Sequence, residues 1–153
     1  MLVVTAFKTP AGWLEVHYDE HYIYRSKFTH EQVTNKETTP LTKLIIQELD
    51  NYFRDPHYRF QLTLKPEGTV YQQRVWSALL VIPVGRTLTY GELAKSLQSS
   101  PRAIGQACKS NPIAPFIPCH RVVGKTNQGG YMGRIDALCF KTTLLAHESK
   151  QKF

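Results

Sequence analysis

Acidic side chains are scarce in this sequence, cysteines scarcer, and no apolar run is long. No stretch reaches the roughly 20 apolar residues needed to cross a bilayer as a helix, so no membrane partner is expected. The start, MLVVTAFKTPAGWLEV, lacks a basic n-region and soon turns polar, which does not read as a signal peptide. The three cysteines, Cys108, Cys119 and Cys139, are an odd and sparse set. They make a poor disulfide framework and suit a reducing compartment. The expected place is therefore the cytoplasm, or the nucleus of a eukaryotic source. With no CxxC pair, a structural zinc site is not expected. Internal repeats and low-complexity tracts are missing too, and the 42% hydrophobic content argues for a folded domain rather than disorder.

The shortage of acid leaves 19 Lys and Arg against 12 Asp and Glu, a net charge of +7. A small domain with a pI near 9.4 favours a polyanionic partner, and nucleic acid is the commonest one. With 153 residues, the chain can form one compact domain or two small lobes sharing an interface.

The first 67 residues read as an α/β lobe, a small antiparallel sheet with a helix. Leu2 to Phe7, Trp13 to Tyr18 and Tyr22 to Phe28 are β-prone runs, punctuated by Pro10-Ala11-Gly12 and Asp19-Glu20-His21. Thr39-Pro40 opens a helix whose apolar residues Leu41, Leu44, Ile45, Leu49 and Tyr52 fall at helical spacing. Arg59 to Leu64 alternates as a further strand. Lys65-Pro66-Glu67-Gly68 is the linker candidate, which places the boundary between 1–67 and 68–153.

Beyond Gly68 the pattern is helical. Thr69 and Gln72 form a capping box, and Val75, Ala78, Leu79 and Ile82 form the stripe of the helix behind it. Pro83-Val84-Gly85 ends that helix. A second capping box, Thr89 and Glu92, starts a short helix burying Leu93, Ala94 and Leu97. After the tight turn Gln98-Ser99, Ser100 as N-cap and Pro101 at N1 open a third helix. Its face Ile104, Ala107 and Cys108 opposes a polar face of Arg102, Gln106 and Lys109. This is a helix-turn-helix or, the commoner case on these cues, an ordinary αα-hairpin with a solvated face. A last helix spans Asp136 to Gln151, with Cys108 and Cys139 expected as packing residues on helices.

Residues 111–124 read NPIAPFIPCHRVVG. Three prolines predict an extended, rigid backbone carrying Cys119, with His120 and Arg121 next to it. A nucleophilic cysteine needs a base or a positive local potential, because the thiolate is the reactive form. Neighbours on a strand point to opposite faces, so adjacency to His120 does not decide the matter. A nucleophile and a buried core cysteine are both compatible with these residues.

From Gly68 to Glu148 the chain resembles the catalytic domain of the O6-alkylguanine-DNA alkyltransferases. The likeness rests on GTVYQQRVWSALLVIPVGRTLTYGELA, RAIGQACKSNP, IPCHRVVG and LLAHE, in that order. It implies a ribonuclease H-like N-terminal lobe and a mainly α C-terminal domain with a winged helix-turn-helix. It also implies irreversible, stoichiometric transfer of an alkyl group from O6 of guanine in double-stranded DNA, and by extension O4 of thymine, to Cys119. In this picture His120 acts through a water as the base, Glu148 orients it and Asn111 holds the hinge to the active-site segment. Tyr90 helps to push out the nucleotide and protonates guanine N3. Arg102 fills the gap in the base stack. Ala103, Gly105, Gln106, Lys109 and Arg121 accompany Tyr90 and Arg102 at the DNA, with entry by the minor groove. Val122, Tyr131, Met132 and Cys108 line the base pocket. No cofactor or metal is implied. The protein acts as a monomer, with cooperative loading on DNA as a further option.

Two features depart from the family pattern. The span from Tyr90 to Arg102 is about two residues short, within ordinary loop variation. In Tyr131-Met132-Gly133-Arg134, Met132 and Arg134 stand where small residues are usual, which narrows the pocket or simply varies a loop. Two rival readings remain, a lesion-binding sensor of the same fold without transfer and a helix-turn-helix regulator. The presence of Cys119 speaks against the first. The lack of evident dimerisation and base-reading features speaks against the second.

Overall fold

The computed structural model describes residues 1–32 and 37–150. Three strands, β1 (Val3–Thr9), β2 (Gly12–Tyr18) and β3 (Ile23–Thr29), form an antiparallel meander. β1 and β3 run slightly later than the β-prone runs and β2 starts one residue earlier, the first hairpin pairing as far as Thr9↔Gly12. Asp19 builds the second turn by accepting from the amides of His21 and Tyr22, both at 2.8 Å. The sheet buries Leu14, Val16, Tyr18 and Phe28 on one face. Helix α1 (Pro40–Arg54) packs over the sheet's inner face, with Thr39 as N-cap, and Tyr18 Oη meets Thr42 Oγ1 at 2.6 Å. Of the expected α1 stripe, Leu41, Ile45, Leu49 and Tyr52 are buried, but Leu44 is exposed. The buried stripe is completed by Glu48 instead.

The expected strand Arg59 to Leu64 does not form. Only Leu64 bridges Ile23, with Ile23 N donating to Thr63 O and Lys65 N to Ile23 O. The remainder of the segment is tied to α1, where buried Glu48 accepts from Tyr58 Oη and the Gln61 amide. A side chain thus replaces the ladder that the alternation suggested.

Capping fixes the second half as expected. Helix α2 (Val70–Leu80) starts at the Thr69–Gln72 box, and α3 (Tyr90–Ser96) starts at the Thr89–Glu92 box. The third, α4 (Pro101–Lys109), starts at Ser100, whose side chain accepts from the Ala103 amide. The turn between α3 and α4 is closed by Gln98 in a left-handed conformation, φ 54°. It absorbs the short Tyr90–Arg102 span without delaying the helix, so Arg102 sits in the first turn of α4. Trp76 of α2 donates Nε1–H to Ala107 O at 2.9 Å and so ties α2 to α4.

Helix α5 spans Leu138–Glu148, preceded by a 3-10 turn at Ile135–Ala137. It starts later than the expected Asp136, and the expected end at Gln151 lies outside the described residues. Cys139 is exposed rather than packed. Among the described residues no helix is long and apolar enough to cross a membrane.

Two pairings frame the site, the first between 1–67 and 68–153 and the second within 68–153. Ser26 of β3 donates its hydroxyl to Ala114 O at 2.6 Å and its amide to Pro112 O at 2.9 Å. Strands β4 (Leu88–Thr89) and β5 (Val122–Val123) pair in parallel, which sets the start of α3 beside the chain leaving Cys119.

Candidate active site

Cys119 does not lie on extended backbone. It opens a 3-10 turn, Cys119–Arg121, because the preceding prolines end at 118 and Arg121 N closes back on Pro118 O at 3.0 Å. This turn aims the side chains of Cys119, His120 and Arg121 inward, and all three are buried. The objection that strand neighbours point apart therefore falls away.

Beneath the cysteine lies a chain of buried polar groups. Glu148, at the end of α5, is its hub. It accepts His120 Nε2 at 2.7 Å, Tyr52 Oη at 2.6 Å, and Arg121 Nε and Nη2 at 2.9 and 3.0 Å. Burial opposes ionisation of Glu148, yet its interactions with His120 and Arg121 outweigh it and hold the carboxyl well below its usual range. Burial also lowers the His120 pKa, against the pull of Glu148. These directions favour a neutral imidazole beside a carboxylate.

The tautomer follows from that pairing. A carboxylate only accepts, so His120 Nε2 carries the hydrogen and Nδ1 presents a lone pair. Nδ1 is buried with no hydrogen-bond partner among the described residues. An unpaired buried acceptor is costly, so its retention points to use.

The resemblance places Arg121 at DNA. It is buried instead, paired with Glu148 in a two-pronged bridge and donating Nη1–H to Ile82 O at 2.9 Å. Its guanidinium is spent inside the protein.

Around the sulfur, Asn111 spans the turn. Its Nδ2 donates to Ile117 O at 2.8 Å and its Oδ1 accepts from the Ile113 amide at 3.0 Å. Burial raises the Cys119 thiol pKa, while a hydrogen bond from Asn111 and the charge of Lys141 pull it down. Lys141 and Tyr52 escape sequence reasoning. Lys141 is fully buried on α5 and donates Nζ to Val122 O at 2.7 Å and Gly130 O at 2.9 Å. A signal exists: Lys141, Leu144 and Glu148 stand at i, i+3 and i+7, so a lysine occupies the apolar stripe. Tyr52 reads simply as core.

The expected pocket residues gather here. Tyr90 is half-buried, its pKa raised by burial and by neighbouring Cys108 and Cys119. Gly129, at φ +75°, leaves room for it, since a Cβ there would fall 2.8 Å from Tyr90 Oη. Val122, Tyr131 and Cys108 are buried. Burial lifts the Cys108 thiol to about 12, which leaves it protonated and inert beside Cys119. Met132 packs partly against the core with φ 54°. On α4, Arg102, Gln106 and Lys109 are exposed, and Ala103 and Gly105 are partly so.

His17 and His21 stand four residues apart, but on β2 and in the turn after it. Among the described residues no group of three or more His, Cys, Asp or Glu is placed to hold a metal.

Known proteins resemble this chain in sequence and in fold. Residues 70–150 match the family model described as 6-O-methylguanine DNA methyltransferase, DNA binding domain. The constitutive methylated-DNA–protein-cysteine methyltransferase of Bacillus subtilis is 37% identical, over 84% of this chain and 86% of its own length. The Methanosarcina mazei methyltransferase is 39% identical, over 73% and 71%. The crystal structure of Mycobacterium tuberculosis O6-methylguanine methyltransferase superposes with a TM-score of 0.78 at 31% identity, covering 97% of this chain and 93% of that one. That of M. tuberculosis OGT in complex with DNA gives the same TM-score and identity over 95% and 92%. A buried cysteine, a neutral histidine held by a carboxylate and a capped helix pair thus occur in a chain that belongs to the methylated-DNA–protein-cysteine methyltransferase family.

Proposed function

We propose that this protein repairs DNA directly, moving the alkyl group from O6 of guanine in duplex DNA onto Cys119, once per molecule. The observation that carries the assignment of roles is the buried, unpaired His120 Nδ1, fixed as an acceptor by the Nε2–Glu148 bond. His120 takes the Cys119 proton through a water, and Glu148, held in place by Arg121, stabilises the imidazolium that forms. The thiolate then displaces guanine in line, forming the S–C bond as the C–O6 bond breaks. The electron pair leaves with guanine, and Tyr90 gives a proton to N3. Placing sulfur against carbon supplies most of the acceleration. The thioether product resists water, so turnover stops. No cofactor enters these steps.

The target carbon is stacked inside the duplex, so the nucleotide must rotate out. In this reading α3 and α4 are the helix-turn-helix of a winged domain spanning 68–153, and 1–67 is the ribonuclease H-like lobe. The α4 face of Arg102, Ala103, Gly105, Gln106 and Lys109 enters the minor groove, where little sequence code is displayed. Gly105 supports this. A Cβ there would meet no protein atom within 4 Å, so the missing side chain serves no packing inside the chain. Glycine costs a helix interior about 1 kcal/mol relative to alanine, and close approach of an outside surface accounts for that cost. Arg102 fills the vacated stack, and the protein binds as a monomer.

Arg102→Ala tests the flipping role. Transfer from O6-methylguanine in duplex DNA is expected to slow at least tenfold, while transfer from the free alkylguanine base stays near wild type. Equal slowing on both substrates would remove Arg102 from flipping.

A further inference from the structure

One groove has no place in the steps above. It measures about 520 Å³ and lies between the outer face of the sheet, the C-terminal end of α4 and the loop after Tyr131. Its charged lining is Arg25, Lys27, Lys109 and Arg134 against Glu15 and Glu67, with His17 beside them. Glu15 is bonded to His17 at 3.0 Å and faces Lys27 across the β2–β3 ladder. Arg134 is bonded to Asp136 through Nε at 3.0 Å and Nη2 at 2.5 Å. Arg25 and Lys27 are exposed and bracket Ser26, whose two bonds to Pro112 and Ala114 lock β3 to the segment that follows α4. Lys109 shares the α4 face of Arg102, seven residues on, about 10 Å along the helix axis. The cations of the sheet therefore continue the DNA-facing side of α4 at a fixed offset.

We propose that this groove is a second DNA-binding surface, in which Arg25 and Lys27 of the N-terminal sheet hold backbone phosphates flanking the lesion site. The proposal rests on the reading of α4 as the DNA-facing helix and extends the footprint to a lobe that otherwise only supports the catalytic half. Charge complementarity selects a phosphate backbone, and contiguity with α4 selects the same duplex. Phosphate binding of this kind adds affinity without sequence preference, as suits a protein that must search any sequence.

The test is the salt dependence of binding to an undamaged duplex of about 20 base pairs, roughly 68 Å long at 3.4 Å per step. It compares wild type, the pair Arg25→Ala with Lys27→Ala, and a control pair of equal charge change, Lys43→Ala with Arg54→Ala. The control residues lie on α1, across the sheet from the groove. The groove pair should lower the slope of log K against log salt by about 2, near 0.9 for each phosphate no longer neutralised, with the control on the wild-type line. An unchanged slope for the groove pair, or an equal fall for the control, overturns the proposal. Thermal melting shows that each variant is folded. Transfer from free alkylguanine base reads the alkyltransferase assignment separately, so failure of one reading is not mistaken for failure of the other.

Discussion

The two halves of the interior are held together by different physics. Between the sheet and α1 the packing residues are Leu14, Val16, Phe28, Ile45 and Leu49, all apolar and nearly or fully buried. Under Cys119 the interior is Tyr52, His120, Arg121, Lys141 and Glu148, equally buried but linked by directed bonds. The first kind of core needs volume and tolerates exchange of one hydrocarbon for another. In the second, every removed partner strands another charge without solvent. The gain is functional. Burial keeps the histidine neutral, and the bonded carboxylate fixes it in one tautomer with its other nitrogen available.

Substitution in the two cores should separate them most strongly. Leu14→Met is expected to cost less than about 1.5 kcal/mol. Arg121→Ala leaves Glu148 without its main counter-charge and is expected to cost about 3–5 kcal/mol. Even Arg121→Lys, which keeps the charge but loses the two-pronged geometry, should cost more than Leu14→Met. Chemical denaturation of the three variants checks the order, and equal costs for Leu14→Met and Arg121→Lys would erase the contrast.

Acid should act on the second core through His120 and Glu148. His120 and Glu148 both have folded pKa values below their ordinary values of 6.5 and 4.5. For such groups the unfolded chain binds protons first, so their stabilisation is complete above the ordinary value and is lost as pH falls below it. Between about pH 4 and 8 the melting temperature should be flat near pH 7–8, decline below about 6.5 and decline more steeply below about 4.5. A profile flat down to pH 4 would show that these groups do not titrate as assigned.

The smallest effect belongs to the connection between the halves. Ser26→Ala removes one buried hydroxyl bond to Ala114 O, worth about 1 kcal/mol. Because that bond steadies the segment leading to Cys119, transfer should slow a few-fold with the fold intact. A transfer rate equal to wild type would make the bond purely structural.

What is legible in the sequence divides by range. The caps at Thr39, Thr69, Thr89 and Ser100 are readable because each closes a bond within three residues. The three strands are readable from alternation and turns. Arg59 to Leu64 misleads because its alternation is met by Glu48 of α1 rather than by a strand. Arg121 misleads because its partner, Glu148, is 27 residues away, and local sequence shows a cation without showing what neutralises it. Cys119 and His120 stand out in the proline-held segment, but their roles, and Glu148 altogether, come only through resemblance to a family. Their geometry then supplies the neutral histidine and its orphan nitrogen. Lys141 escapes because a lysine in an apolar stripe reads as an irregularity until the carbonyls it bonds are known.

The most direct measurement is the intact mass of the protein after incubation with a duplex carrying one O6-methylguanine, beside Cys119→Ala. Stoichiometric transfer to Cys119 predicts a gain of about one CH2 on the wild type, at most once per molecule, and none on the variant, as covalent capture requires. No gain on the wild type while it still binds the lesion, or an equal gain on Cys119→Ala, would contradict it.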